Sequence, residues 1–293
     1  MVRTIPEAFK VFKSNLKITD QQLSAVSIRQ QNIRKAMENG LEVADSFLTG
    51  SYYRHTMIAP LKETDIDIFV ILNSKYFHNY NGQNGGQAGL LDLVKRVLKK
   101  TYPKTPDISR SGQAVTIQFT DFIVDVVPAF ERQGGGYLIP NSITQGWLQT
   151  DPKRHVEIMA AENKSHSADL VPLIKMVKAW NRMMNTFFRS FHLEVMTMQL
   201  LHNVTISDFP SGVRYFFDKG RSYVTKKNPD PAGYGDDVGS YLNSQDKIDN
   251  AASRFETAYT RAVKAEDYGN KGVIFDAFAM WKLIFGKYFP SYG

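Results

Sequence analysis

No cysteine occurs in the 293 residues of this chain. That absence excludes a disulfide framework, a thiolate zinc site and a cysteine nucleophile. It suits a reducing compartment without fixing one. Long hydrophobic runs are missing as well. No stretch approaches the roughly 20 apolar residues of a membrane span, and the N-terminal MVRTIPEAFKVFKSNLK lacks the apolar run of a signal peptide. The expectation is a cytoplasmic protein that does not engage a membrane. The six histidines show no ligand spacing, which argues against a histidine-based metal site. Internal repeats and extended low-complexity tracts are also lacking.

What remains is ordinary material for a globular protein. Apolar residues make up 43% and charged residues 22%, ample for a core. Lys and Arg total 36 against 29 Asp and Glu, a formal charge of +7. Such a surplus suits a polyanion, and it also suits a basic surface with no specific ligand. Lys95, Arg96, Lys99, Lys100 and Lys104 cluster in one stretch that has the character of a phosphate-tracking surface.

The chain changes texture near residue 145. Before it, Thr19 and Gln22 have the form of a capping box and Gly40 marks a stop, with Leu23, Val26, Ile33 and Met37 on one helical face between them. LEVADSFLTGSY runs from a short strand or helix end into a Gly-Ser turn. ETDIDIFVIL has the β-branched density of a strand. Residues 79–89 form a polar, glycine-rich segment without the Gly-Lys-Ser/Thr of a phosphate loop, so it reads as a flexible connection before the basic helix LLDLVKRVLKK. Residues 113–119 and 121–130 read as two antiparallel strands. A Gly134–Gly136 turn and a YLIP strand follow. After residue 145 helices dominate, over 151–163, 168–185, 190–206, 247–266 and 272–286. Residues 208–245 are expected to be irregular. The expected domains are a catalytic core over 1–145 and a helical lobe over 146–293. The expected fold class is α+β.

The chemistry concentrates in three carboxylates. Asp65 and Asp67 alternate with Ile66 and Ile68, so in a strand both carboxylates leave one face while the isoleucines enter the core. Adjacent carboxylates repel unless a cation lies between them, and hard oxygen ligands suit magnesium. Asp-x-Asp alone also describes a solvated strand face. Asp125 adds weight because it interrupts the apolar run FIVDVVPAF, where a lone carboxylate is costly unless paired or metal-bound. Asp121 shares its parity but lies nearer the strand start. Gly50 and Ser51 form a turn that lets phosphate approach the backbone closely. In order the pattern is Gly-Ser, 13 residues, Asp-x-Asp, then a later strand Asp.

GSYYRHTMIAPLKETDIDIFV resembles the signature of the cGAS/DncV-like nucleotidyltransferases, bacterial relatives of cyclic GMP-AMP synthase and oligoadenylate synthase. VDVVPAF, WLQTDPKRHVEIMAAEN, LIKMVKAWNR, FRSFHLE and KKNPDPAGYGDDVGSYL continue the likeness, which spans about residues 47 to 245. His55 departs from the pattern, standing where these enzymes often have glycine. The resemblance implies a polymerase-beta-like nucleotidyltransferase sheet lobe packed on a C-terminal helical lobe. It implies two Mg²⁺ ions, with Mn²⁺ as a substitute, on Asp65, Asp67 and Asp125. Gly50, Ser51, Lys178 and Ser190 would hold nucleotide phosphates, with Ser190 as a helix N-cap, and Phe191 would stack on a base.

On the helix over 168–185, Leu170, Leu173, Val177, Trp180 and Met184 make an apolar face, with Lys175, Lys178 and Arg182 as a separate basic stripe. A solvated lysine at 178 and a core phenylalanine at 191 are the plain alternatives. His192 and Glu194 read as buried polar groups satisfied within the helical lobe. The implied product is a cyclic di- or trinucleotide second messenger made from ATP and/or GTP, in bacterial antiphage (CBASS) signalling. It would be read by a downstream effector, with regulatory protein partners and no obligatory DNA. A nucleotidyltransferase acting on tRNA, a small molecule or a protein is the alternative, followed by a non-catalytic nucleotide-binding protein.

Overall fold

The computed structural model describes residues 1–104 and 107–293. In chain order these fold as α1 (Ile5–Asn15), α2 (Asp20–Gly40), β1 (Val43–Leu48), the short α3 (Gly50–Tyr53) and β2 (Asp65–Leu72). Next come α4 (Ser74–Asn81), α5 (Gly86–Thr101), β3 (Asp107–Ser111), β4 (Ala114–Gln118), β5 (Ile123–Glu131), β6 (Tyr137–Asn141) and β7 (Gly146–Thr150). The helices α6 (Pro152–Ser165), α7 (Leu170–Arg182), α8 (Ser190–Leu201), α9 (Phe209–Tyr223), α10 (Gln245–Asn270) and α11 (Ile274–Phe285) complete the mixed α+β fold.

Two units emerge, residues 18–157 and residues 1–17 with 158–293. The expected break at 145 therefore lies twelve residues later, and α1 belongs with the C-terminal helices. Both shifts have local causes. β7 pairs with β6 from Tyr137↔Thr150 to Asn141↔Gly146, so backbone hydrogen bonding keeps it in the sheet unit. In α1, Phe9 and Phe12 pack among Trp281, Phe285 and Phe289, with Phe9 edge-on to Trp281 at 5.0 Å.

In the sheet unit the strand order is β1-β2-β5-β4-β3, with β6 joined to β5 and β7 to β6. β2 and β5 run parallel; β1 and β4 flank them antiparallel. Even-numbered residues of β2 and β5 point to one face, where Ile66, Ile68, Val70, Val124 and Val126 join Val26, Ile33 and Met37 of α2 and Leu90, Val94 and Val97 of α5 in one core. The opposite face carries a smaller cluster of Phe69, Ile71, Val127, Ala129 and Tyr137. The capping box at Thr19 and Gln22 is formed, with Gln22 N donating to Thr19 Oγ1 at 3.3 Å.

Two segments differ from the sequence-based expectation. Residues 79–89 are mostly helix, since α4 runs to Asn81 and α5 starts at Gly86. Gly86 fits closely there, because a Cβ would lie 1.8 Å from the Tyr80 carbonyl oxygen. In the span 208–245, α9 occupies Phe209–Tyr223. Asp208 caps it by accepting Ser211 N at 2.8 Å, and Val213, Phe216, Phe217 and Gly220 form its buried face. Gly212 and Gly220 lie within this helix and serve close packing. A Cβ would stand 2.6 Å from Leu173 at Gly212 and 2.3 Å from Phe255 at Gly220.

Candidate metal and nucleotide site

Asp65 and Asp67 stand at the start of β2, on the face opposite α2 and α5. Parallel pairing sets Asp67 directly beside Asp125, and Asp65 beside Ile123. One oxygen from each of Asp65, Asp67 and Asp125 lies within 4.8 Å of the others. Asp65 is exposed, whereas Asp67 and Asp125 are half-buried. The same parity that buries Phe69 and Ile71 farther along β2 thus turns two carboxylates outward at its beginning.

Asp125 is the most constrained of the three. Thr116, its register partner on β4, donates its hydroxyl to Asp125 Oδ1 at 2.5 Å. Burial pushes the Asp125 carboxyl above the ordinary range; the Thr116 bond opposes this and the charge of Asp65 adds to it. Like charges held this close, with oxygen donors only, fit a hard divalent cation. Thr116 lay outside the sequence-based set, because its place opposite Asp125 depends on strand register.

Gly50 heads α3 and meets the triad at contact distance. Its φ is +66°, and a Cβ built there would lie 1.7 Å from Asp67 Oδ2. Only glycine suits both the left-handed backbone and the space. Thr49 N donates to Asp67 O at 3.0 Å, tying the turn to the strand. The buried Thr49 hydroxyl has no hydrogen-bond partner among the described residues, and sequence reasoning passed over it. Ser51 O accepts the N–H groups of Thr56 at 2.9 Å and Met57 at 3.0 Å, closing the loop behind the turn. His55 adopts φ +60°, the conformation for which glycine is favoured. Asp121 is engaged elsewhere, accepting from Arg29 Nη2 at 2.8 Å.

The helical unit holds the remaining candidates. Lys178 is no part of an exposed stripe: it is 5% exposed, and its ammonium meets the carboxylate of Glu194, which is 0% exposed. An isolated charge at that depth would be costly, and the Glu194 carboxylate offsets it. Lys175, one turn earlier, is half-buried, and its pKa falls to about 8 through burial and the nearby charges of Lys178 and Lys17. Ser190 is exposed at the first position of α8, where the N-cap is Arg189 rather than Ser190. Phe191 is half-buried beside it. His192 and Tyr241 meet at 2.9 Å.

A family model for the Second Messenger Oligonucleotide or Dinucleotide Synthetase domain (SMODS) matches residues 4–163. This chain belongs to that family. It is a cyclic-oligonucleotide synthase, and so a nucleotidyltransferase. Its sequence is 25% identical over 310 residues to the cyclic AMP-AMP-AMP synthase of Acinetobacter sp. (strain ATCC 27244 / 9458), covering 99% of this chain and 86% of that one. The fold matches CdnC of Escherichia coli MS115-1, solved in complex with HORMA-deltaN, with a TM-score of 0.77 at 18% identity, covering 98% of each chain. The same CdnC solved with ATP gives a TM-score of 0.76 at 18% identity, covering 98% of this chain and 99% of that one. Vibrio cholerae DncV with the linear intermediate 5′ pppA(3′,5′)pG matches with a TM-score of 0.77 at 14% identity, covering 99% of this chain and 97% of that one. Among the described residues no helix of the synthase is long and apolar enough to cross a membrane.

Proposed function

We propose that this synthase joins nucleoside triphosphates, ATP among them, into a cyclic di- or trinucleotide, using two Mg²⁺ ions held by Asp65, Asp67 and Asp125. The convergence of three carboxylates on adjacent strands carries the reading. Cations bound there supply charge neutralisation to the phosphates and activation of the attacking ribose hydroxyl, with Mn²⁺ as a substitute. Thr116 holds the Asp125 carboxylate in place beside those of Asp65 and Asp67. Gly50 lets a phosphate come close to the backbone, and the Ser51 hydroxyl donates to it. Lys178, oriented by Glu194, and Ser190 supply further phosphate contacts, while Phe191 offers a base a sequence-tolerant stacking surface.

The relatives extend the proposal. CdnC was solved both with ATP and with HORMA-deltaN, which supports a regulatory protein partner here. The proposed setting is antiphage (CBASS) signalling, the setting that the name of the Escherichia coli (strain KTE188) relative carries, with a downstream effector reading the product. The test is incubation with the four labelled ribonucleoside triphosphates and Mg²⁺, then phosphatase and mass spectrometry. The expected product carries no terminal phosphate and has the mass of two or three nucleotides closed by phosphodiesters. A linear product, or label found only on added tRNA or protein, refutes the cyclic reading and leaves the carboxylate site standing.

A further inference from the structure

The loop that follows α9 reaches back to the start of α8. Between residues 228 and 242 it is braced by its own aspartates. Asp230 Oδ1 accepts the N–H of Ala232 at 3.3 Å, and its Oδ2 accepts those of Tyr234 and Gly235 at 3.2 and 2.8 Å. Asp237 Oδ1 accepts those of Asn228 at 3.1 Å and Gly239 at 2.7 Å. This bracing delivers Tyr241, whose hydroxyl accepts the backbone N–H of Arg189 at 3.1 Å and meets His192 Nδ1 at 2.9 Å. The Arg189 guanidinium lies over the Tyr241 ring, 4.7 Å from its centre. Gly239 presses against His192 so closely that a Cβ would lie 3.2 Å from its ring.

Hydrogen-bond valence lets one hydroxyl serve both partners. A phenol has one proton and two lone pairs, and the Arg189 amide occupies one of those lone pairs, so the oxygen keeps a proton and a lone pair for His192 Nδ1 in either neutral tautomer. Burial keeps both groups neutral, lowering the His192 pKa to about 4 and raising that of Tyr241 to about 12. His192 Nε2 is buried without a hydrogen-bond partner among the described residues. The bond at Nδ1 therefore carries the polar anchoring of this ring.

We propose that Tyr241 and His192 are positioning residues for the nucleotide, together locking the first turn of α8 and with it Ser190 and Phe191. The inference rests on the reading of Ser190 and Phe191 as nucleotide contacts. Neither Tyr241 nor His192 touches substrate in this scheme. They set the rigidity and direction of the residues that do, and oriented contacts lose force when their backbone moves.

The experiment compares Tyr241→Phe, His192→Leu and His192→Asn with Ser190→Ala and Phe191→Ala, measuring KM, kcat, thermal stability and amide exchange at Arg189. Tyr241→Phe keeps the ring under Arg189 and loses both hydrogen bonds. It should raise the nucleotide KM roughly fivefold or more, change kcat little, and speed exchange of the Arg189 amide. His192→Leu should raise KM as well. His192→Asn, which puts an amide able to accept from or donate to the Tyr241 hydroxyl where Nδ1 stood, should restore it. Unchanged KM and exchange in Tyr241→Phe overturn the proposal, as does a failure of Asn to outperform Leu at 192. If Ser190→Ala and Phe191→Ala leave KM unchanged, the nucleotide assignment of α8 fails and the proposal falls with it. If they raise KM while Tyr241→Phe does not, only the proposal falls.

Discussion

Substituting Gly50 tests the join between backbone shape and the proposed metal site. Gly50→Ala places a Cβ where Asp67 Oδ2 now stands, at 1.7 Å, with Asp67 Cγ at 2.7 Å and Asp67 Cβ at 3.2 Å. The carboxylate is the mobile end of that contact, so it will swing away from Asp65 and Asp125. Two separable effects follow. Holding alanine at φ +66° costs about 1–2 kcal/mol of stability. Displacing one ligand by about 1 Å costs on the order of 100-fold in turnover. The assay is thermal unfolding in chelator and across a Mg²⁺ titration, run beside turnover. At Mg²⁺ near 100 times its Kd the native protein should gain about 2.7 kcal/mol, and Gly50→Ala should lose most of that gain. The reasoning fails if the variant keeps turnover within about threefold of the parent while its metal-dependent stabilisation is intact.

Three further outcomes are expected. In chelator at neutral pH, Asp125→Asn should unfold at a higher temperature than the parent and gain nothing from Mg²⁺: the raised Asp125 pKa means that stability falls as pH climbs past the ordinary carboxylate value toward the folded one, and amide substitution removes that loss. Lys175 has the opposite sign, since its pKa is lowered from 10.5 to about 8, so apo stability should rise with pH between those values and Lys175→Met should abolish the rise; a slope that persists in the variant refutes the assignment. Lys178→Ala removes the ammonium that meets the buried Glu194 carboxylate and should cost about 3–5 kcal/mol in chemical denaturation, with Lys178→Met/Glu194→Gln recovering much of it while nucleotide affinity stays low.

The carboxylates were legible in sequence because strand parity is a local rule. Two aspartates separated by one isoleucine must share a face, and an aspartate within FIVDVVPAF needs a reason to be there. The element types around them followed from similarly local signals. Long-range register was not legible. Nothing in the order of residues says that Asp67 will sit beside Asp125 in a parallel pair, or that Thr116 will reach Asp125 from β4. The same limit governs Lys178. Helical spacing placed it on a basic stripe, but its burial depends on a glutamate supplied by the next helix. The helix α9, inside the span expected to be irregular, depends on close packing at Gly212 against Leu173 and at Gly220 against Phe255, partners set by the tertiary fold.

One strand face illustrates how fold and chemistry divide a single pattern. Along β2 the odd positions run Asp65, Asp67, Phe69, Ile71, with the first residue exposed, the second half-buried and the last two buried. Along β5 the odd positions repeat it, Asp125 preceding Val127 and Ala129. The apolar end packs with Phe47 and Tyr137, and Phe47 stacks on Phe69 at 5.6 Å. That packing anchors both strands only a few residues from the triad. Two carboxylate-bearing strand ends are thereby held in register by hydrogen bonds between them and by the cluster that follows. Three like charges can stay together without a cation only if something else prevents their separation. Continuous backbone pairing from Asp65↔Ile123 to Ile71↔Ala129 does this, so the site's preorganisation is a property of the β2–β5 ladder more than of the loops that border it.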